Sequence, residues 1–219
     1  VPGVIEGRYA PDECRLPVAD LARRAGVRVV VQHGVGLEAR ERRLDLADGR
    51  TVRFRLLSLD VGSTVSGLSV PGVAEHALPT RPLSRFLERM RTVRYAMRVE
   101  SPVVVGGGAA GVEIAFTLAR GEGRVTLVHD GDAVPSGASR ATQSRVRRQA
   151  RRAGIDLVAG RRVVQVDALG VVLDDGARIV GGPVIWATGA AGTELVRASD
   201  LALEHRGFVR VRPTLQAEG

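Results

Sequence analysis

Apolar residues in this chain fall into short β-branched runs separated by stretches of helical period, the alternation expected of an α/β protein. Val103–Val105 is such a run, and it leads directly into Gly106-Gly107-Gly108-Ala109-Ala110-Gly111. Apolar positions then recur at helical spacing to about Arg120. After Gly121-Glu122-Gly123, a second apolar run, Val125–Val128, ends in His129-Asp130. Strand, glycine turn, helix and strand in that order predict a βαβ unit of the length its crossover needs.

The flanking stretches read less regularly at first. Residues 1–18 are too rich in Pro and Gly for regular structure. Ala19–Ala25 predicts a short helix closed by Gly26, followed by a strand at Val27–Gln32. Arg43–Leu46 and Thr51–Phe54 flank Asp48-Gly49, a strong hairpin signal, and Leu56–Val61 predicts an apolar strand ending in Gly62-Ser63. Ser66–Pro79 reads as loop, and Leu83–Arg98 as a helix with Phe86, Met90, Val93 and Met97 on its apolar face. Beyond the glycine unit the order recurs: helix Gln143–Ala153 closed by Gly154, strand Ile155–Val158, then Val164–Ala168. Strands Gly170–Leu173 and Ala177–Val180 follow around Asp175-Gly176, and Val184–Ala187 ends in Thr188-Gly189.

That recurrence has a frame. Gly49 to Gly176 and Gly62 to Gly189 are both separations of 127 residues. Within this frame Leu46 matches Leu173, Val52 matches Ile179, Leu57 matches Val184 and Leu59 matches Trp186. Arg23-Arg24-Ala25-Gly26 matches Arg151-Arg152-Ala153-Gly154 one residue out of step. The pattern reads as an internal duplication. Projected onto the first copy, the glycine turn of the second falls before residue 1, so the expectation is a chain that begins inside a domain.

The glycines of Gly106-x-Gly108-x-x-Gly111 have separate tasks. Gly106 permits the tight turn, Gly108 lets backbone N–H groups approach a pyrophosphate, and Gly111 lets the helix pack close to the strand. The helix N-terminus adds unpaired donors and a positive dipole end. An acid for the adenosine ribose is expected some way beyond. Asp130 is placed for it, although His129 holds the last strand position where that acid commonly sits. Asp130 favours a free 2′-hydroxyl (NAD), whereas His129 and Arg140 could accept a 2′-phosphate.

Composition narrows the functions. With 219 residues and 44% apolar content the chain can bury one large or two small cores. No apolar run reaches the length of a membrane span and no signal segment opens the chain, so the expected location is cytoplasmic. Net charge is +8, and every basic residue is Arg. Scattered arginines without lysine read either as compositional bias or as a patch for an anionic partner. Arg145, Arg147, Arg148, Arg151 and Arg152 concentrate on one helix, either a solvated face or an anionic surface contact such as a membrane. Aromatics at 3% argue against a base-stacking surface, so no nucleic-acid partner is expected. Cys14 is the single cysteine, so this chain has no redox pair or zinc cluster of its own. His33, His76 and His205 lack partners at ligand spacing; no metal is expected.

Four stretches carry a family likeness. They are Leu57-Ser58-Leu59-Asp60-Val61-Gly62-Ser63, Pro71-Gly72-Val73 through Glu75-His76-Ala77-Leu78-Pro79, Val105–Ala115, and Ile185-Trp186-Ala187-Thr188-Gly189-Ala190. Together they resemble the two-dinucleotide-binding flavoproteins (pyridine nucleotide-disulfide oxidoreductase-like), in the type II NADH dehydrogenase-like branch. They are similar also to the oxidoreductase domain fused to selenide, water dikinase. The resemblance implies two Rossmann-like, three-layer ββα domains, the second inserted in an incomplete first. Residues 1–98 would be a partial FAD-binding domain, 99–190 the NAD(P)H-binding domain, and 191–219 the return to the first. It implies hydride transfer from nicotinamide to FAD and on to a quinone or other small acceptor, with NAD the weakly favoured nucleotide and peripheral contact with the inner face of the membrane an option. An alternative is a dinucleotide-binding module without turnover of its own.

The same likeness assigns residues. Gly106, Gly107, Gly108, Ala109, Ala110, Gly111, His129 and Asp130 would hold the nicotinamide nucleotide, with Ala187, Thr188 and Gly189 lining its cleft. Asp60, Gly62 and Ser63 are the FAD-side counterpart. Glu113 would sit near the nicotinamide; an acid in a first helical turn also has a purely electrostatic reading. The chain departs from the pattern where Phe54-Arg55 stands for a usual aromatic-Asp pair, and in lacking a Gly-Asp motif after Phe208–Gln216.

Overall fold

The computed structural model describes residues 1–93 and 96–218. Numbered along the chain, the elements open with α1 (Pro2–Ile5), α2 (Val18–Arg24), β1 (Gly34–Glu38), β2 (Arg43–Leu46), β3 (Thr51–Arg53) and β4 (Thr64–Val65). Then come α3 (Val73–His76), β5 (Ala77–Pro79), α4 (Leu83–Val93), α5 (Ala96–Val99), β6 (Val103–Val105), α6 (Ala109–Glu122) and β7 (Val125–His129). The series ends with α7 (Arg140–Arg152), β8 (Ile155–Ala159), β9 (Val163–Asp167), β10 (Gly170–Leu173), β11 (Arg178–Val180), β12 (Val184–Trp186), β13 (Ala190–Ala191) and α8 (Glu194–Arg197). Contacts divide the chain into two compact units: Val1–Cys14 with Val65–Gly189, and Arg15–Thr64 with Ala190–Gly219.

The first unit is built on a five-stranded sheet ordered β5-β12-β6-β7-β8, every neighbouring pair parallel. Parallel strands covered on both faces read as continuous apolar runs, which is why Val103-Val104-Val105 and Val184-Ile185-Trp186 are buried throughout. Alternation along each strand sorts the side chains. Val104, Ile185, Val125 and Leu127 join a core with Phe86 and Met90 of α4 and Val112, Ile114 and Leu118 of α6. Val103, Val105, Val128, Val184 and Trp186 face the other way, onto Val163, Val166, Val171 and Leu173 of the antiparallel meander β9-β10-β11. Meander, parallel sheet and helices make the expected three-layer α/β architecture.

The Pro71-Gly72 pair of the family likeness has a packing reason. Gly72 has φ +78°, and a Cβ there would lie 1.8 Å from the carbonyl oxygen of Val166. Only glycine lets this turn lie against β9, where the Val166 N–H donates to the Pro71 carbonyl at 2.9 Å.

In the second unit β1, β2 and β3 form an antiparallel meander. Leu195 of α8 closes over Gly34. The Asp200 carboxylate accepts from the backbone N–H groups of Ala39 (2.6 Å) and Arg40 (3.1 Å). The two meanders repeat as the 127-residue frame requires: β2 and β10 share their bounds, β3 and β11 share theirs, and Gly49 and Gly176 both have φ +83°.

Several expectations change. Val27–Gln32 and Leu56–Val61 are not strands; Val31 and Leu56 are 90% and 91% exposed. Their second-copy matches, β8 and β12, are held in the parallel sheet by β7 and β6, and the second unit has no counterpart of that pair among the described residues. An apolar run without a neighbour to complete its hydrogen bonds stays irregular. Pro2–Ile5 is helical in a stretch expected to be irregular, and Ser66–Pro79, read as loop, contains α3 and β5. The helix expected over Leu83–Arg98 is present as α4 and α5; residues 94 and 95 of that expectation lie outside the described residues. Contacts place the division before Val65 rather than near residue 98, because β5 is hydrogen-bonded to β12 and α4 packs into the same core.

Candidate coenzyme site

The carboxyl end of β6 turns through Gly106 (φ +129°) into α6, whose N-cap is Gly108. Two anchors fix this turn. The Gly106 N–H donates to the Val128 carbonyl, and the Ala187 N–H donates to the Val105 carbonyl, each at 2.8 Å. A Cβ on Gly106 would stand 2.3 Å from the Ala187 carbonyl oxygen. One on Gly111 would stand 2.0 Å from the Gly106 carbonyl oxygen. One on Gly108 would meet nothing within 4 Å. Two glycines are therefore demanded by protein packing, while the third faces open space at the amino end of a 14-residue helix. That is the shape a pyrophosphate cradle requires: unpaired N–H donors, a positive dipole end and no side chain in the way.

Gly107 is held from behind. A Cβ there would meet His129 Cβ at 2.8 Å and Val134 Cγ1 at 3.1 Å, and its carbonyl accepts from Ser136 N (2.8 Å) and Ser136 Oγ (3.1 Å). The loop after β7 thus clamps the turn. Nothing local in the sequence marks Ser136, whose partner is 29 residues away.

His129, expected to help hold the nicotinamide nucleotide, is 3% exposed at the end of β7, and its Nδ1 has no partner in the protein. Burial lowers its pKa, opposed by the nearby charges of Asp130 and Asp132, so the imidazole is held towards its neutral form. It lines a cavity of about 420 Å³ with Asp132, Gln143, Arg147 and Ala159. Asp130 is exposed one residue further on. The order along the strand end is therefore a buried neutral ring, then an outward acid.

Ala187-Thr188-Gly189 follows β12 beside the turn. Ala187 is buried against the glycine turn, and the Thr188 hydroxyl donates to the Ser66 carbonyl at 2.6 Å, the same oxygen that accepts from Trp186 Nε1 at 2.8 Å. The Gly189 carbonyl accepts from the Ser66 N–H at 2.7 Å. Thr188 is thus spent on positioning its own turn. Ser66 is a residue sequence reasoning missed, since its partners are over a hundred positions distant.

Ala109 and Ala110 are exposed in the first turn of α6, and Glu113 is exposed on the same helix, where its carbonyl accepts from Thr117 Oγ1 at 2.7 Å. On the flavin side, Asp60 and Gly62 are exposed and Ser63 half-buried in an irregular segment of the second unit. His33, His76 and His205 are exposed.

Known proteins resemble this chain. The chain is 26% identical over 223 residues to an NADH dehydrogenase-like protein of Mycobacterium tuberculosis, covering 94% of this chain and 56% of that one. It is 27% identical over 188 residues to the mitochondrial internal alternative NAD(P)H-ubiquinone oxidoreductase A1 of Arabidopsis thaliana, covering 73% of this chain and 36% of that one. The chain spans about half the length, or less, of these relatives. Among solved structures, the NAD-dependent persulfide reductase of A. fulgidus superposes with a TM-score of 0.82 at 18% identity, over 100% of this chain and 43% of that one, a likeness of fold. The family profile described as pyridine nucleotide-disulphide oxidoreductase matches residues 4–218. The glycine turn, the three-layer fold around it and that match together place this chain in the pyridine nucleotide-disulphide oxidoreductase family.

Proposed function

We propose that this chain serves an FAD-dependent NAD(P)H oxidoreductase of the NADH dehydrogenase-like kind, in which hydride passes from nicotinamide to flavin and on to a quinone or other small acceptor. The observation that carries the reading is Gly108: the one glycine of the turn whose missing side chain faces open space at a helix N-terminus. The first unit would hold the nicotinamide nucleotide and the second would contribute Asp60, Gly62 and Ser63 to FAD. Flavin, when bound, supplies the hydride acceptor and the onward electron transfer.

The chain's own residues bind and orient. The N–H groups opening α6 take the pyrophosphate, Asp130 reaches the ribose hydroxyls, and Ala187 keeps the glycine turn in place. Glu113 orients the nicotinamide end. The outward acid beside a buried neutral ring supports NAD over NADP, since no positive charge from His129 is offered to a 2′-phosphate. The name of the Arabidopsis thaliana relative supports a quinone acceptor, and the single cysteine leaves this chain without a dithiol of its own. Among the described residues no helix is long and apolar enough to cross a membrane; we take the chain to be cytoplasmic and to meet a membrane-held acceptor from the surface.

Purified protein titrated with NADH and NADPH, with its visible spectrum recorded, tests the reading. Flavin absorbance bands that bleach on adding NADH, with NADH bound more tightly than NADPH, are the expected result. A colourless protein that still binds NADH would support the second reading, a dinucleotide-binding module, which the irregular Asp60–Ser63 segment favours.

A further inference from the structure

Helix α7 carries six arginines and no acid, and among the described residues none of the six is ion-paired. Their placement is not uniform. Arg145, Gln149 and Arg152 recur at helical spacing on one face, and across from them α6 presents Phe116 and Arg120. Between the two helices lies a shallow cavity of about 540 Å³, lined by Phe116, Arg120, Arg145, Val146, Gln149, Arg152 and Ala153. The floor is apolar, the rim is guanidinium, and no carboxylate lines it. Arg120 alone of the rim is neutralised, by Glu6 at 3.2 Å.

We propose that this α6–α7 notch is a docking surface for an anionic lipid bilayer. Unpaired arginines over an apolar floor match phosphate headgroups above acyl chains, whereas a nucleic acid would find little aromatic surface to stack on. The topology suits that use. α7 runs antiparallel to the strands, so Arg152 lies towards their amino ends, while the glycine turn opens at their carboxyl ends. Docking through the last turns of α7 leaves the coenzyme edge free. The proposal deepens the surface-contact part of the functional reading and rests on it.

Co-sedimentation with phosphatidylcholine vesicles, with and without phosphatidylglycerol, provides the test. The protein should bind only the anionic vesicles and release at high salt, as a screened interaction must. R145Q with R152Q should lower partitioning by about 25-fold, roughly fivefold for each arginine. R53Q with R55Q, exposed arginines that do not line the notch, should leave it within about twofold. Gln149→Trp should give a blue-shifted emission on anionic vesicles, reporting the apolar floor. Equal losses for the two arginine pairs, or displacement of vesicles by a short DNA duplex that binds more tightly, would overturn the proposal. NADH titration of the same preparations separates the outcomes. Unmutated protein that binds NADH but no anionic vesicles sinks the docking surface alone; unmutated protein that binds vesicles but no NADH sinks the oxidoreductase reading.

Discussion

Gly111 lies with its α-carbon against the carbonyl oxygen of Gly106, so close that a methyl group there would sit 2.0 Å from that oxygen. The contact is between helix and turn backbones, and neither can move without opening the β6–α6 layer. Gly111→Ala should therefore cost about 3 kcal/mol in urea unfolding, the range of overpacking where nothing can give. Gly106→Ala should cost at least as much, since a left-handed φ of +129° is added to a clash with the Ala187 carbonyl. Gly108→Ala is the contrast. Its φ of −74° suits alanine and its surroundings are empty, so unfolding should change by less than about 0.5 kcal/mol. NADH affinity should nevertheless fall by about tenfold or more, the loss expected when a hydrogen bond to a charged phosphate is blocked. A Gly108→Ala protein that binds NADH normally would mean that the open face is not a phosphate cradle.

The paired hairpins make a second, symmetric case. Gly49 and Gly176 share a φ of +83°, and a Cβ at either would meet nothing within 4 Å. Alanine at each should cost only the left-handed strain, about 1–2 kcal/mol, and by similar amounts. Urea midpoints of the two variants check this. A cost at Gly176 much above that at Gly49 would show that the two turns, alike in backbone, differ in what they support.

These two sets of glycines also mark how much the chain discloses in one dimension. The hairpins and the glycine turn are legible because each is a local conformational demand: a left-handed residue, or a backbone contact within a few positions, leaves its signature where it acts. Val27–Gln32 and Leu56–Val61 mislead for the opposite reason. Their apolar, β-branched character states a propensity, but a strand exists only where a neighbour completes its ladder. Ser66 and Ser136 are silent because the carbonyl and hydroxyl groups they use find partners far along the chain. His129 was legible as a strand-end residue but not as a buried one; its alternation with Leu127, on the helix side of the sheet, decides that.

Thr188 tests the division between positioning and binding. Its hydroxyl donates to the Ser66 carbonyl, and Trp186 Nε1 supplies that oxygen with a second donor. In Thr188→Val the carbonyl keeps the indole, so no acceptor is stranded and the loss should be about 1 kcal/mol. NADH affinity should fall by less than in Gly108→Ala, because the lost bond is internal to the protein. Should titration show the reverse order, the hydroxyl contacts the nucleotide itself.

His129 provides a pH signature with a fixed sign. Burial holds the imidazole below its usual range, and the carboxylates of Asp130 and Asp132 only partly offset this. An unfolded histidine titrates near pH 6.5, so on acidification the unfolded chain takes up its proton before the folded one does. The contribution to stability is whole above about pH 6.5, declines as pH falls towards the lower folded value, and is flat once both states are protonated. Wild-type protein minus His129→Leu, compared by urea unfolding between about pH 7.5 and pH 5.5, should therefore lose stability as the pH is lowered. The leucine variant also removes a buried nitrogen that lacks a partner, so at the upper end of the range it should be no less stable than wild type. A difference that is level across the range would mean that burial does not shift the ring, and one that grows in favour of wild type on acidification would mean that the ring is charged and paired in the folded protein. The case for NAD would then weaken with it, because a cationic His129 beside Asp130 is what a 2′-phosphate site would offer.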